Sequence, residues 1–135
     1  MATRSTIAFE NADGTILQIY CHFDGYLDGV GATLKKHYTD PDKIKALMAL
    51  GSVSILAPSI ECPEGHSYDN SVNGYTVFYN RDRGEDDCDV ELHSSYNDWL
   101  LGYNMEEYNY IFRHDSQDWQ VACKEDSVTF SCIKL

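Results

Sequence analysis

Apolar and polar residues alternate in the segment STIAFENADGTILQIYCH in a pattern that predicts a β-hairpin. A three-residue loop with Gly14 in the left-handed region pairs Phe9 with Leu17 and Ile7 with Ile19. Because strand side chains alternate, this register places on one face Ile7, Phe9, Leu17, Ile19 and Cys21, and on the other face Gln18, Tyr20 and His22. A two-residue loop is the alternative, but it scatters the apolar residues over both faces.

A helical pattern begins directly after the hairpin. In DGYLDGVGATLKKHY, residues Leu27, Val30, Leu34 and Tyr38 recur at the spacing of one helix face. Asp24 stands at the junction, where aspartate most commonly acts as a helix N-cap. The segment therefore predicts a strand, a turn and a helix capped by Asp24.

The second predicted helix has clearer boundaries. Asp40 is a suitable N-cap, and Pro41 fits the first helical position, where no amide donor is needed. Gly51 marks the end of the helix. The apolar stripe between these boundaries consists of Ile44, Leu47 and Met48.

Loop signals dominate the middle of the chain. Residues 52–74 are rich in turn-forming residues and show no periodicity. After them, YTVFYN predicts a strand, RDRGEDDCD a charged turn and DVELH a short strand. SSYNDWLLGYN predicts a short helix capped by Ser94 or Ser95, with an apolar side formed by Trp99, Leu100 and Tyr103.

The C-terminal segment predicts a three-stranded antiparallel meander. One turn is expected at HDSQ (114–117) and the next at Glu125 and Asp126. These turns place Phe112 opposite Trp119 and Trp119 opposite Cys132. The same face is then completed by Tyr110, Val121 and Phe130, and by Tyr108, Cys123 and Val128.

These elements predict a single α+β domain over residues 1–135. We expect a mostly antiparallel sheet, made of the N-terminal hairpin and the C-terminal three-stranded meander and packed with two to three short helices. A chain of 135 residues is long enough to bury a core of its own. The sequence contains no internal repeat or linker.

A net charge of −12 is the strongest signal in the composition. It argues against direct binding to nucleic acid or to anionic membranes, because both gain affinity from lysine and arginine. It suits a protein partner with a basic surface, since complementary fields speed association. An acidic, solvated surface without a partner is the alternative.

Cellular location is indicated by what the sequence lacks. No run of about 18 apolar residues occurs, so we expect no membrane span, and the start MATRSTIAFE lacks the apolar core of a signal peptide. The five cysteines include no Cys-x-x-Cys pair, and we expect them to be thiols. These features favour a cytoplasmic protein whose oligomeric state the sequence does not indicate.

Three residues near the end of the hairpin are candidates for acid–base chemistry. Tyr20 and His22 share a face, and Asp24 follows them closely. An aspartate in contact with a histidine is the minimum for a general base with a fixed tautomer. The alternative is that Asp24 caps the helix while Tyr20 and His22 cover the outside of the sheet.

Two further stretches suggest ligand sites. Cys62, His66, Cys88 and His93 together offer two thiolates and two imidazoles, the set that a structural zinc site needs, although their spacing fits no common zinc motif. Arg81 and Arg83, two apart on a continuing strand, point the same way and can clamp a phosphate. Ion pairing within YNRDRGEDD is the alternative. The glycine patterns of nucleotide sites are absent, so we expect no cofactor.

Acidic residues dominate the chain from Gly84 onward, with aromatic residues interleaved. Aromatic side chains among carboxylates are suited to protein recognition, because a few aromatic anchors supply binding energy and the charges steer association. The candidate partner-binding residues are Glu85, Asp86, Asp87, Asp89, Glu91, Tyr103, Glu106 and Glu107.

Several motifs taken together resemble a family of small, largely uncharacterised proteins of tailed bacteriophages and prophages. The resemblance is carried by MATRSTIAFENADGTILQIYCHFDGYL, LKKHY, ALGSVSIL, YTVFYNRDRGED and EEYNYIFR, in this order along most of the chain. It implies a protein made in the cytoplasm of an infected bacterium. It also implies a function against host defence or DNA-handling proteins, in which an acidic surface takes the place of nucleic acid.

Two functions are therefore expected from the sequence. The first is a non-enzymatic phage accessory protein that binds and inhibits a host protein. The second is a nucleotide- or phosphate-binding protein or hydrolase, which requires Arg81 and Arg83 to meet Tyr20, His22 and Asp24 in one pocket. A structural role in the virion is a third alternative.

Overall fold

The N-terminal hairpin lies at the centre of a mixed sheet. The structure, a computed structural model, describes residues 2–101, 106–124 and 130–135, with side chains for 2–101, 106–122 and 135. Within these residues the sheet has eight strands: β1 (Ser5–Glu10), β2 (Ile16–Cys21), β3 (Val53–Ile55), β4 (Val77–Phe78), β5 (Glu91–His93), β6 (Tyr108–Arg113), β7 (Asp118–Lys124) and β8 (Phe130–Lys134). The helices are α1 (Ala32–His37), α2 (Pro41–Leu50), α3 (Tyr79–Arg83) and α4 (Tyr96–Leu100).

The sheet confirms the predicted α+β class. Its order is β4-β3-β2-β1-β6-β7-β8, and β5 also pairs with β2, on the edge that β3 uses further along. Most neighbours are antiparallel, but β1 and β6 run parallel, as do β2 and β3. The β1–β6 pair joins the hairpin to the meander. None of the helices in the described segments is both long and apolar enough to cross a membrane.

The hairpin has the predicted register. Phe9 lies opposite Leu17 and Ile7 opposite Ile19, and Gly14 adopts a φ of 90° in the loop. Cys21 is fully buried on the same face, and burial raises the pKa of its thiol to about 12. This face carries the main core, which is covered by Leu34 of α1, by Val30 and Tyr38 on either side of that helix, and by Ile44, Leu47 and Met48 of α2.

The start of the first helix differs from the prediction. Leu27–Gly31 forms a π-helical turn that leads into α1, and the N-cap position is Tyr26. Asp24 does not cap the helix with its side chain, because it adopts a left-handed conformation with a φ of 59°. Its backbone carbonyl instead accepts a hydrogen bond from the amide of Val30 at 2.8 Å.

The second helix confirms both predicted boundaries. The Asp40 carboxylate accepts a hydrogen bond from the amide of Asp42 at 3.0 Å, and Pro41 is the first helical residue. Gly51 ends α2 with a φ of 87°. The next residue, Ser52, donates its amide to the carbonyl of Cys88 at 2.8 Å, so the end of α2 holds the loop that precedes β5.

The strand predicted at YTVFYN is largely wrong. Only Val77 and Phe78 are extended, and the chain then turns into α3. The Asp82 carboxylate causes this change, because it accepts the amide of Phe78 at 2.7 Å and closes a helical turn. By contrast, β5 and α4 form as predicted, with the Ser95 side chain capping α4.

The meander is confirmed in its first half and wrong in its second. Phe112 lies opposite Trp119 and residues 114–117 form the turn, as predicted. However, Cys132 lies opposite Ala122, three residues from the predicted partner Trp119. The carbonyl of Trp119 instead accepts the amide of Leu135 at 3.1 Å, and this register lets Leu135 pack against the main core. The predicted turn at Glu125 and Asp126, with Val128, lies outside the described residues.

Substitution of Gly51 tests the contact between α2 and the loop before β5. Gly51 and Gly74 have nearly equal φ angles of 87° and 89°, but only at Gly51 would an added Cβ collide with the carbonyl oxygen of Cys88. We expect Gly74→Ala to lower the free energy of unfolding by about 1 kcal/mol and Gly51→Ala by about 2 kcal/mol or more. Urea denaturation of both variants measures the difference, and equal losses would contradict the close approach.

Candidate functional site

A groove of about 550 Å³ lies on the sheet face opposite the main core. Its floor is formed by Thr6 of β1 and by Gln18 and Tyr20 of β2. We call it the acidic groove, because its walls carry the carboxylates of Glu85, Asp87, Asp89, Glu91 and Glu106. The remaining lining residues are Ile19, Ser52, Tyr79 and Cys88.

The acidic groove lies where the cover of this sheet face ends. At the other end of the hairpin, α4 packs on the same face through Trp99, which is fully buried. A second, smaller core forms there from Ala8, Ile16, Trp99, Ile111 and Ala122. Gln18 and Tyr20 follow Ile16 on the same face of β2, because strand side chains alternate, but they lie beyond α4 and line the groove.

The groove carboxylates come from two stretches of the chain, residues 85–91 and Glu106. Glu85, Asp87 and Asp89 belong to the loop that the amide of Ser52 holds through the carbonyl of Cys88. Glu91 lies on β5 directly opposite Gln18, since β5 pairs with β2 in an antiparallel register. The second stretch contributes Glu106, just before β6.

The position of Glu106 depends on a buried polar cluster. Asn109 is fully buried, and its carboxamide both accepts the amide of Glu106 at 2.9 Å and donates to the Glu106 carbonyl at 2.8 Å. The same oxygen accepts the hydroxyl of Thr6 at 2.8 Å. The parallel β1–β6 pair therefore sets the distance between this wall and the groove floor.

Two tyrosines complete the groove as neutral aromatic surfaces. The hydroxyl of Tyr20 lies 2.7 Å from Nδ1 of His22, and the Tyr79 hydroxyl is hydrogen-bonded to Ser54. Burial raises the pKa of both phenols; the nearby Arg4 partly opposes this for Tyr20, and the Ser54 hydrogen bond partly opposes it for Tyr79. Neither hydroxyl therefore adds negative charge at neutral pH.

Cys88 lines the groove without the properties of a nucleophile. Burial raises the pKa of its thiol, and the carboxylates of Glu85, Asp87, Asp89 and Asp86 raise it further. The thiolate is the reactive form of cysteine, so this environment keeps Cys88 in its unreactive state at neutral pH.

Most of the predicted partner-binding residues meet in this groove. Glu85, Asp87, Asp89, Glu91 and Glu106 line it. Asp86 and Glu107 are exposed but do not line it. Tyr103 lies outside the described residues.

The predicted arginine clamp does not form. Arg81 and Arg83 lie on α3 instead of a strand, and neither lines the acidic groove. The guanidinium of Arg81 donates to the carboxylate of Asp82 at 2.9 Å and to the carbonyl of Ile60 at 2.5 Å. Arg83 lies over the ring of Tyr68, 4.6 Å from its centre. The guanidinium of Arg83 also lies 3.7 Å from the carboxylate of Glu85. Internal pairing, the alternative considered for this stretch, therefore describes both arginines.

The proposed acid–base group is incomplete. Tyr20 and His22 contact each other as predicted, but the side chain of Asp24 is engaged elsewhere and accepts the hydroxyl of Tyr26 at 3.3 Å. His22 packs edge-on against Phe23, with ring centres 4.5 Å apart. The contact between aspartate and histidine that a general base requires is not among those found at His22.

The four candidate zinc ligands do not converge. Cys62 and His66 lie near Asp82, whereas Cys88 lies in the acidic groove. Across residues 2–101, 106–124 and 130–135, no group of three or more His, Cys, Asp or Glu side chains is placed to hold a metal ion. His93, the fourth candidate, lies on β5 opposite Ile16.

His66 and Asp82 instead anchor the long loop between β3 and β4. Nδ1 of His66 accepts the amide of Val72 at 2.9 Å, so Nε2 carries the proton and donates to the carbonyl of Thr76 at 3.1 Å. Asp82 lies 3.4 Å from the same Nε2, and both side chains are essentially inaccessible to solvent.

Comparisons of this chain with protein-family models, with curated proteins and with solved structures found no match. The resemblance to phage proteins therefore stays a prediction, and the function is argued from the chemistry of the site. Sequence reasoning placed Gln18 and Tyr20 on the correct face but did not single out Gln18, Thr6, Ser52 or Tyr79 as site residues. The alternation of β2 was the available signal for Gln18.

Substitution of Asp82 tests the loop anchor. Burial raises the pKa of this carboxyl, but hydrogen bonds from Arg81 and the Phe78 amide, with the charge of Arg81, outweigh burial and leave it below the usual 3.8. Asp82 therefore stabilises the fold above about pH 4, and this contribution is lost as the pH falls through the lowered pKa. We expect Asp82→Asn to cost about 2 kcal/mol at pH 7 and less at about pH 3.

The measurement is urea denaturation at both pH values. Asp69→Asn is the matched control, because Asp69 is exposed in the same loop, and it should leave the free energy of unfolding unchanged. A cost for Asp82→Asn that does not depend on pH would contradict a stabilising charge at this position.

Proposed function

We propose that this protein is a non-enzymatic binding protein that holds a basic region of a partner protein in the acidic groove and thereby inhibits the partner. One observation carries the proposal. Carboxylates from two stretches of the chain, residues 85–91 and Glu106, converge on one concave site, and no lysine, arginine or histidine is among the described residues that line it.

The electrostatics of the groove favour a cationic partner. Carboxylates outnumber cations around the cavity: Glu85 forms an exposed ion pair with Arg83 at 3.7 Å, and Asp87, Asp89, Glu91 and Glu106 also line the groove. A concave site with walls of low dielectric also concentrates the field of its charges, which raises the rate at which a basic surface associates. A basic surface of a partner is therefore attracted to the groove.

The size of the groove limits what it can hold. Pockets for small molecules usually enclose roughly 300–1,000 Å³, and the acidic groove encloses about 550 Å³. This volume accommodates side chains of a partner rather than a folded element. The rest of the contact then falls on the surrounding surface, where Asp86 and Glu107 are exposed.

The charge and the predicted phage origin of the protein indicate what kind of partner it binds. The net charge of −12 and the resemblance to phage proteins favour a host protein of an infected bacterium, acting in the cytoplasm. Host defence and DNA-handling proteins carry basic surfaces for nucleic acid, and an acidic protein occupies such a surface by resembling the charge of the backbone. The acidic groove is the part of the molecule best suited to that contact.

The alternative function receives less support from the geometry. A phosphate-binding protein or hydrolase needs Arg81, Arg83, His22 and Asp24 around one pocket, but none of them lines the acidic groove. Carboxylates also repel phosphate. We therefore retain the binding function alone.

Charge neutralisation tests this function. The groove variant Glu85→Gln, Asp87→Asn, Asp89→Asn and Glu91→Gln removes four carboxylates from the site. We expect the tagged wild-type protein to capture one dominant host protein from bacterial lysate at low salt. Capture should fall about tenfold or more in the groove variant, and it should fall as salt is raised, because salt screens exposed charges.

The control variant removes the same number of charges from exposed positions outside the groove: Glu61→Gln, Glu64→Gln, Asp69→Asn and Asp115→Asn. It has the same net charge as the groove variant and should retain capture. Equal capture by the two variants would contradict a role for the groove, and capture that does not depend on salt would contradict charge mimicry.

A further inference from the structure

The side chain of Gln18 lies at the floor of the acidic groove, and no hydrogen bond from its carboxamide to another described residue is found. The residue as a whole is only 5% exposed, but its carboxamide is not among the fully enclosed polar atoms that lack a partner, so it reaches solvent through the groove. Buried polar side chains usually pair within the protein. A carboxamide that instead faces a cavity is available to a group that binds there.

The polar groups around Gln18 are already paired within the protein. Thr6 donates to Asn109 at 2.8 Å, and the hydroxyl of Ser52 accepts the amide of Tyr20 at 3.1 Å. The hydroxyl of Tyr20 is directed to His22 at 2.7 Å. Of the polar side chains on the groove floor, Gln18 is thus the one left for a ligand.

We propose that the acidic groove binds the guanidinium group of an arginine side chain, with the carbonyl oxygen of Gln18 accepting one of its N–H groups. The carboxylates on the walls accept the others, and the rings of Tyr20 and Tyr79 provide flat surfaces beside it. This assignment rests on the proposed function and names the partner group that the groove recognises.

The arrangement of acceptors favours guanidinium over other cations. A metal ion needs several ligands at one point, and the described residues offer no group of three His, Cys, Asp or Glu side chains placed in that way. A guanidinium instead presents five donors spread over a plane, is weakly hydrated and stacks on aromatic rings. An ammonium is more strongly hydrated and has three donors on one atom, so it uses the dispersed acceptors less well.

The test is isothermal titration calorimetry with short blocked peptides. The probes are acetyl-Gly-Arg-Gly-amide, the same peptide with lysine or with uncharged citrulline in place of arginine, and spermidine as a free polyamine. We expect the arginine peptide to bind the wild-type protein about tenfold more tightly than the citrulline peptide, and more tightly than the lysine peptide or spermidine. Tighter binding of spermidine would overturn the proposal in favour of a polyamine site.

The variant Gln18→Leu separates recognition from structure. Leucine has a similar size and removes an unpaired amide, so the melting temperature should stay the same or rise, while arginine-peptide affinity should fall about tenfold. Gln18→Met, which keeps an unbranched side chain, is the second variant and should behave alike. A lower melting temperature with unchanged affinity would show that Gln18 is structural and would overturn the proposal.

The outcomes distinguish the site from the function. If the groove variant loses the arginine peptide but both Gln18 variants keep it, the assignment to Gln18 is overturned and the function stands. If no cationic peptide binds while the lysate partner is still captured through the groove, the guanidinium assignment alone fails. If the arginine peptide binds as expected but no lysate partner depends on the groove, the proposed function fails.

Discussion

The alternation of side chains along β2 is the constraint on which the rest of the structure depends. Ile19 and Cys21 point into the main core, while Gln18 and Tyr20 point to the opposite face and form the floor of the acidic groove. A slip of one residue in the hairpin would exchange the two sets, burying a carboxamide and a phenol among apolar groups. The left-handed Gly14 in the loop fixes the register, so the core and the groove are specified together.

A second constraint joins parts of the chain that are distant in sequence. The parallel pair of β1 and β6 brings Thr6 beside Asn109, and Asn109 in turn holds Glu106 at the edge of the groove. On the other side, Gly51 lets the chain pass close to Cys88, which holds the loop that carries Asp87 and Asp89. Buried, fully paired polar groups thus place an exposed cluster of charges that would otherwise spread apart.

The features that the sequence could predict are those set by interactions between residues close in sequence. The hairpin register, the boundaries of α2 and the pairing of Phe112 with Trp119 follow from side-chain period and cap chemistry between near neighbours, and all are confirmed. The face on which Gln18 lies is predictable for the same reason. The acidic residues could be named from composition, but not their convergence on one cavity.

The failures have long-range causes or depend on backbone conformation. No residue pattern in β1 or β6 indicates that these two strands pair in parallel. The register of β7 and β8 depends on where Leu135 packs. Asp24 adopts a left-handed backbone that a residue pattern does not show, and Asp82 turns a predicted strand into α3. That Gln18 lacks a partner is visible only when every neighbour is in place.

We propose that the acidic groove, and no other surface, receives the cationic group of a partner. Two-dimensional ¹H–¹⁵N NMR of the labelled protein during titration with an arginine-containing peptide tests it most directly. We expect saturable shifts that are largest at the side-chain amide of Gln18 and at the backbone amides of residues 85–91 and 106. Shifts confined to α1 and α2 on the opposite side of the sheet, or no saturable shifts at all, would contradict it.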